Sequence, residues 1–167
     1  MMLLAAEHGA RLPRVTLDAD VLVDVRATPA GLEVLADWLG TQRFIVQISA
    51  AGIGHRFTRP ADPGPGTVMI DVLAPEGLGS RTRVFTVPPA RTVSVPASGA
   101  LLGAARPCAV VVRDTTGRQT RGSVQCPGVL AALIGKAAAT TIAVRQNPER
   151  EVRRGRAAVT LLMRSLT

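Results

Sequence analysis

The segment from Thr67 to Leu73 constrains the fold of this chain more than any other, because it places one carboxylate inside a run of β-branched and aliphatic residues. The run Thr-Val-Met-Ile-Asp-Val-Leu has the composition of a largely buried β-strand. Asp71 lies within it. An ionised carboxylate is costly to bury without a partner. The sequence therefore predicts a strand at this position whose Asp71 contacts either a partner side chain or a metal ion.

The composition of the rest of the core favours a sheet covered by helices. Hydrophobic residues make up 47% of the 167 residues but aromatic residues only 2%, so Val, Leu, Ile and Ala must fill the core. Such packing is typical of strands flanked by helices. We therefore expect one α/β (α+β) domain over residues 1–167, a mixed sheet flanked by helices, with 127–167 as its helical C-terminal part.

Turn residues and apolar spacing divide the chain into short elements. Thr28 offers a capping oxygen, and Pro29 suits the first position of a helix that Gly40 ends. A longer helix is predicted from Pro127 to about Arg145. The other predicted elements are strands at 20–25, 44–48, 55–59, 84–87 and 92–95, a short helix at 97–104, a hairpin of 108–112 with 120–125, and terminal helices at 1–10 and from residue 149.

A second group of carboxylates lies at the start of the first of these strands. Asp18 and Asp20 are two positions apart, and extended backbone points two such side chains the same way. Like charges this close repel unless a cation lies between them. If the strands of Asp20 and Asp71 are neighbours, the three carboxylates converge on a site of the kind that holds Mg²⁺. An Asp-x-Asp pair alone also occurs at turns and helix caps. Asp24, further along the strand, is interpreted as structural or as a residue that supports the metal ligands.

Charge is distributed unevenly along the chain, which has a formal net charge of +8. Residues 1–77 hold six arginines against nine acids, whereas residues 78–167 hold fourteen basic residues against three acids. An acidic part and a basic part suit a site for metal and polyphosphate, and the basic part also suits RNA. The alternative interpretation is a solvated basic surface.

The remaining composition points to a cytoplasmic protein without a membrane segment. Cys108 and Cys126 are too few for a disulfide framework and have no metal-ligand spacing, so we expect buried thiols. The apolar run at the start ends at Glu7, which is too short for a signal peptide. No stretch approaches the roughly 18 apolar residues of a membrane span.

The stretch from Arg14 to Val25, Arg-Val-Thr-Leu-Asp-Ala-Asp-Val-Leu-Val-Asp-Val, resembles the Arg-x-Thr-x-Asp-x-Asp core of minimal nucleotidyltransferases. The nearest group is the AbiEii-type toxin family, which includes actinobacterial toxin–antitoxin nucleotidyltransferases. Asp71 matches the third acid of that family. The stretch from Gly128 to Arg145 resembles its C-terminal helix with a nucleotide-contacting lysine, here Lys136. The likeness spans roughly residues 5–150.

This resemblance implies a function and a set of site residues. The chain would move a nucleoside monophosphate from an NTP to a hydroxyl of tRNA or of a protein. Mg²⁺ or Mn²⁺ would be held by Asp18, Asp20 and Asp71, and a cognate antitoxin is an implied partner. Thr16 and Lys136 would bind the nucleotide; Lys136 could also be a surface lysine with a buried stem. His55 and Arg56 are further candidates for nucleotide contact, or else line a sheet edge.

Two departures from the family pattern leave a second hypothesis open. The family begins with a Gly-Gly or Gly-Ser turn that binds phosphate at a helix N-terminus, and this chain is expected to be truncated before that turn. The family also carries an acid where this chain has Arg154. The alternative is therefore a catalytically degenerate module of the same fold that pairs with an antitoxin or with nucleic acid.

Overall fold

A computed structural model describes residues 17–143 apart from 63 and 115, and within this range it leaves the side chains of 139–143 undescribed. The fold is a mixed sheet combined with helices, which confirms the predicted α+β class. The described chain forms two compact units, residues 17–98 and residues 99–143. The terminal helices predicted for 1–10 and from 149 lie outside the described residues.

The first unit is built on a five-stranded sheet with strand order β1-β4-β3-β2, in which β7 also pairs with β4. β1 is parallel to β4, whereas β3 is antiparallel to both β4 and β2. β5 and β6 form a separate two-stranded ribbon. The strands are β1 Asp18–Leu22, β2 Ile45–Gln47, β3 Arg56–Pro60, β4 Thr67–Pro75, β5 Phe85–Val87, β6 Ala90–Arg91 and β7 Ser94–Val95.

One face of this sheet forms the core of the first unit. Val72 and Ala74 alternate along β4 and are completely buried, as the period of two in a strand requires. Helix α1, Gly31–Thr41, covers them with a stripe of buried residues at helical spacing. The buried core consists of Val25, Leu32, Ala36, Leu39, Phe44, Phe57, Val72, Ala74 and Val84.

The start of α1 differs from the prediction. The N-cap is Ala30 without a side-chain hydrogen bond, so the prediction that Thr28 caps the helix and Pro29 opens it is wrong. Thr28 instead lies in a turn: its N–H donates to the carbonyl of Asp24, and its own carbonyl accepts from the N–H of Gly31. The N–H of Gly31 is thus satisfied by a backbone carbonyl instead of a capping side chain, and the helix begins at Gly31.

The second unit contains a long hairpin followed by a helix. Strands β8, Ala105–Arg113, and β9, Gln119–Pro127, pair over nine positions, so the hairpin extends beyond the predicted strands at both ends. Helix α3, Val129–Ala143, follows, and a short helix α2, Ser98–Gly103, precedes the hairpin. A Cβ on Gly135 would lie 3.0 Å from the side chain of Leu101, so the absence of a side chain there lets α3 approach Leu101 closely.

The hairpin turn is organised by one carboxylate. Oδ1 of Asp114 accepts hydrogen bonds from the N–H of Thr116, from its hydroxyl and from the N–H of Arg118. Gly117 has a φ of 86°, a left-handed conformation that glycine adopts without strain. The turn therefore forms around Thr116-Gly117, as the sequence predicts.

Among the described residues, no helix is long and apolar enough to cross a membrane.

Candidate functional site

The register of β1 against β4 places the three predicted carboxylates on one face of the sheet. Asp20 lies directly opposite Asp71, and Asp18 lies opposite Met69. Residues two apart on a strand share a face, and directly paired residues of neighbouring strands do as well. Asp18, Asp20 and Asp71 therefore share the face that is opposite to the one carrying buried Val72.

The partner of Asp71 is Arg56 on the neighbouring strand β3. The two residues are directly paired in the antiparallel register. Nε of Arg56 donates to Oδ1 of Asp71 at 2.8 Å, and Nη2 donates to Oδ2 at 2.7 Å. Two parallel bonds of this kind are the strongest form of a charge-assisted pair. The expectation that Asp71 has a partner is thus met by a side chain.

Arg56 lies in the field of all three carboxylates. Its hydrogen bond to Asp71 raises its pKa most, burial opposes this, and the charges of Asp71, Asp18 and Asp20 add to the increase. The side chain of Asp71 is only 18% exposed, whereas that of Arg56 is 40% exposed. The pair therefore combines a half-buried, strand-fixed carboxylate with an arginine that reaches solvent.

The donor chemistry of this face suits a hard divalent cation. Carboxylate oxygens are the ligands that Mg²⁺ prefers, and both Asp18 and Asp20 are exposed. The oxygens of Asp71, however, both accept from Arg56. Among the described residues, no group of three or more His, Cys, Asp or Glu side chains is arranged to hold a metal ion. Asp18, Asp20 and Asp71 are therefore candidate metal ligands by the chemistry of their side chains, not by an arrangement that the structure shows.

His55 lies immediately before β3. Its carbonyl accepts from the N–H of Val72 at 2.8 Å. Burial lowers the pKa of its imidazole; the charges of Asp71 and Asp20 oppose this change, and Arg56 reinforces it. Its Nδ1 is buried and has no hydrogen-bond partner among the residues described. Because burial dominates, the neutral imidazole is favoured.

Lys136 belongs to the second unit, where it is exposed on α3. The residues through which α3 is most buried are Ala131, Ala132 and Gly135. The packed face of α3 is thus set by small residues, whereas the neighbouring Ala137 is exposed. The prediction that Lys136 contacts nucleotide stays a prediction.

Two other predicted residues have separate outcomes. Thr16 lies outside the described residues. Asp24 is a turn residue, because its Oδ1 accepts from the N–H of Arg26 at 3.1 Å and its carbonyl accepts from Thr28. This local role agrees with the structural interpretation of Asp24.

The direct pairing of Arg56 with Asp71 could not be read from the sequence. Each residue immediately precedes a buried hydrophobic residue, Phe57 for Arg56 and Val72 for Asp71. That shared alternation is the one available signal that both charges lie on the open face. It does not show which strands pair or in which register, and the pairing depends on both.

Comparison with known proteins provides no relative for this chain. No model of a protein family matches it, no curated protein matches it, and no solved structure matches it. A functional assignment therefore depends on the geometry of the carboxylate face and on the sequence resemblance.

Proposed function

We propose that this chain is a Mg²⁺-dependent nucleotidyltransferase that moves a nucleoside monophosphate from an NTP to an acceptor hydroxyl. The observation that carries the proposal is the shared face of Asp18, Asp20 and Asp71, two of which lie directly opposite each other on parallel strands. The Arg-x-Thr-x-Asp-x-Asp core of the AbiEii-type toxins, which this sequence resembles, supplies the choice of reaction.

The residues of this face have separate roles in the proposal. Asp18, Asp20 and Asp71 would hold the metal ion. Mg²⁺ or Mn²⁺ bound there would neutralise negative charge on the reacting phosphate. Arg56 provides a planar guanidinium suited to phosphate, and His55 lies next to it. The resemblance also implies nucleotide contacts by Thr16 and by Lys136.

The proposed acceptor is RNA, with tRNA as the class that the resemblance implies. Residues 99–143 contain five basic residues and one acid. That acid, Asp114, is engaged in its own turn. A surface with this balance favours a phosphate backbone. A hydroxyl of a protein is the other acceptor in the proposal, and a cognate antitoxin is the proposed regulator.

A second candidate function is a non-catalytic module that binds an antitoxin or nucleic acid. The observation that favours it is the pairing of both Asp71 oxygens with Arg56. A carboxylate neutralised in this way is a stable structural element that needs no metal ion. The two candidates differ in whether Asp18 is required for a chemical step.

Incubation of the protein with each α-labelled NTP, Mg²⁺ and a tRNA pool tests the transferase directly. We expect label on RNA with at least one NTP, and a loss of at least about 100-fold in Asp18→Asn, because metal-bound charge stabilisation supplies several kcal/mol in such reactions. Asp62→Asn is the matched control, since Asp62 is an exposed acid outside the carboxylate face. Label that persists in Asp18→Asn would contradict the assignment. A folded protein that binds tRNA without any transfer would favour the binding module.

A further inference from the structure

We infer that one face of the hairpin formed by β8 and β9 is a surface for double-helical RNA. The surface is built on a row of polar side chains of β9, which we call the polar row: Gln119, Arg121, Ser123 and Gln125. This inference rests on the proposed function, because it names the form of the RNA acceptor and the residues that contact it.

The polar row lies on a single face of the hairpin. Its members are two positions apart along β9, and side chains two apart on a strand share a face. All four are exposed. Arg113 of β8 is paired directly with Gln119, so a second exposed arginine joins the same face. From Gln119 to Gln125 the row extends over about 20 Å.

The opposite face of the hairpin is the one that is buried. Cys126 is 4% exposed there, and Cys108 and Val110 are half-buried on the same face. Because successive side chains of a strand alternate between the two faces, burial of this face directs the polar row to solvent.

The charge of the hairpin suits a phosphate backbone. Residues 105–127 contain four arginines and one acid. The acid, Asp114, accepts hydrogen bonds within its own turn. Arg113 and Arg121, on the face of the polar row, are therefore available to phosphate groups along one side of a nucleic acid.

The composition of the second unit points to paired rather than unpaired bases. Residues 99–143 contain no Phe, Trp or Tyr. Unpaired bases are held mainly by stacking on aromatic rings, whereas an RNA double helix is recognised by its shape and through its phosphates and 2′-hydroxyls. The polar row therefore fits the stem of a folded RNA rather than a single-stranded loop.

The uncharged members of the polar row favour RNA over DNA. The amides of Gln119 and Gln125 and the hydroxyl of Ser123 both donate and accept hydrogen bonds, as a 2′-hydroxyl does. The minor groove of an RNA double helix is wide and shallow and displays these hydroxyls. Ser123 and its paired residue Ala109 are short. Short side chains at the centre of the face suit a shallow groove better than the major groove of DNA, which is about 8.5 Å deep.

Fluorescence anisotropy with a labelled RNA duplex tests the partner. The full chain is titrated, without NTP or metal, into a duplex of about 20 base pairs, longer than the roughly 16 that minor-groove binders span. We expect this duplex to bind at least about tenfold more tightly than either of its single strands or the DNA duplex of the same sequence. Equal or tighter binding of a single strand or of the DNA duplex would overturn the inference. Displacement of the RNA by poly-glutamate at equal charge concentration would also overturn it, because only net charge would then matter.

A double variant separates the hydrogen bonds of the polar row from its charge. Gln119→Ala with Gln125→Ala removes two amides and no charge. We expect it to bind duplex RNA about fivefold more weakly, with an unchanged slope of log affinity against log salt, and to bind the DNA duplex as the wild type does. Gln42→Ala, which removes an exposed amide at the end of α1, is the matched control and should bind duplex RNA as the wild type does. Unchanged affinity for duplex RNA in the double variant, with its fold confirmed by thermal unfolding, would overturn the inference.

The results separate this inference from the proposed function. Transfer of label to RNA by a protein that binds duplex and single-stranded RNA equally would overturn the inference and leave the transferase in place. Selective binding of duplex RNA through the polar row, without any transfer, would contradict the transferase and leave the surface in place.

Discussion

The two compact units of this protein differ in what they bury and in how they are charged. The first, residues 17–98, contains the whole core cluster and is nearly balanced, with seven arginines against eight acids. In the second, residues 99–143, the buried hydrophobic residues are Cys126, Ala131 and Ala132, and five basic residues face one acid. Its exposed large hydrophobic residues are Val111, Val112, Val124, Leu130 and Ile134.

This difference suggests a division of tasks. Side chains that must hold a fixed geometry are best placed on strands that a core supports, and the three carboxylates with Arg56 are placed in this way. Attraction of a polyanion needs only net charge and exposure, and the second unit has both. In the proposed function, the first unit performs the chemistry and the second contributes to binding the acceptor.

The largest expected effect concerns the core. Phe57 is 2% exposed and belongs to the core cluster, so Phe57→Ala should lower the free energy of unfolding by ~3–5 kcal/mol through lost burial and a cavity. Val112 is 61% exposed on the hairpin, and Val112→Ala should change the free energy of unfolding by less than ~0.5 kcal/mol. Denaturant titration of both variants measures the contrast.

Similar losses in these two variants would show that the hairpin contributes to stability as much as the sheet does. A two-stranded hairpin alone is marginally stable in water, so a large loss for Val112→Ala would mean that its apolar residues are stabilised by packing. The claim that the buried core lies in the first unit alone would then be wrong.

An intermediate effect concerns RNA binding. Arg113 and Arg121 are exposed and lie on one face of the hairpin, since Val111 pairs with Arg121 and Arg113 pairs with Gln119. If each contacts a phosphate, changing either to Gln should weaken tRNA binding and reduce the slope of log affinity against log salt by roughly 0.7–0.9. Filter binding of a tRNA pool at several salt concentrations measures this slope.

Arg81 is the control for this measurement, because it is an exposed arginine of the balanced unit. Arg81→Gln should leave the salt slope unchanged. An equal reduction in all three variants would show that only net charge matters. The assignment of RNA binding to the second unit would then be contradicted.

The sequence predicted much of the secondary structure but not the contacts that define the site. The strand around Asp71 and the hairpin around Thr116-Gly117 follow from local composition and turn residues, which act over a few positions. The start of α1 was missed because backbone bonds at Thr28 replaced a side-chain cap. The pairing of Arg56 with Asp71 depends on which strands are neighbours and in what register, which long-range packing decides.

The smallest effect concerns the hairpin turn and pH. Hydrogen bonds, first from the hydroxyl of Thr116 and then from backbone N–H groups, lower the pKa of Asp114 from its ordinary value of 3.8. Because the pKa of Asp114 is lower in the folded protein, its ionised carboxylate stabilises the turn fully above pH 3.8. This stabilisation is lost as the pH falls through the lowered pKa. We therefore expect the amide protons of Thr116 and Arg118 to exchange faster with solvent, relative to the intrinsic rate at each pH, only when the pH falls towards the lowered pKa of Asp114.

Hydrogen exchange followed by NMR measures these rates. The amide of Thr92, which donates to the carbonyl of Val84 in the first unit, is the internal reference. Asp114→Asn keeps an acceptor oxygen but has no charge to titrate, so its turn amides should lose this dependence on pH. Acid-induced opening of the turn that persists in Asp114→Asn would show that another group controls it.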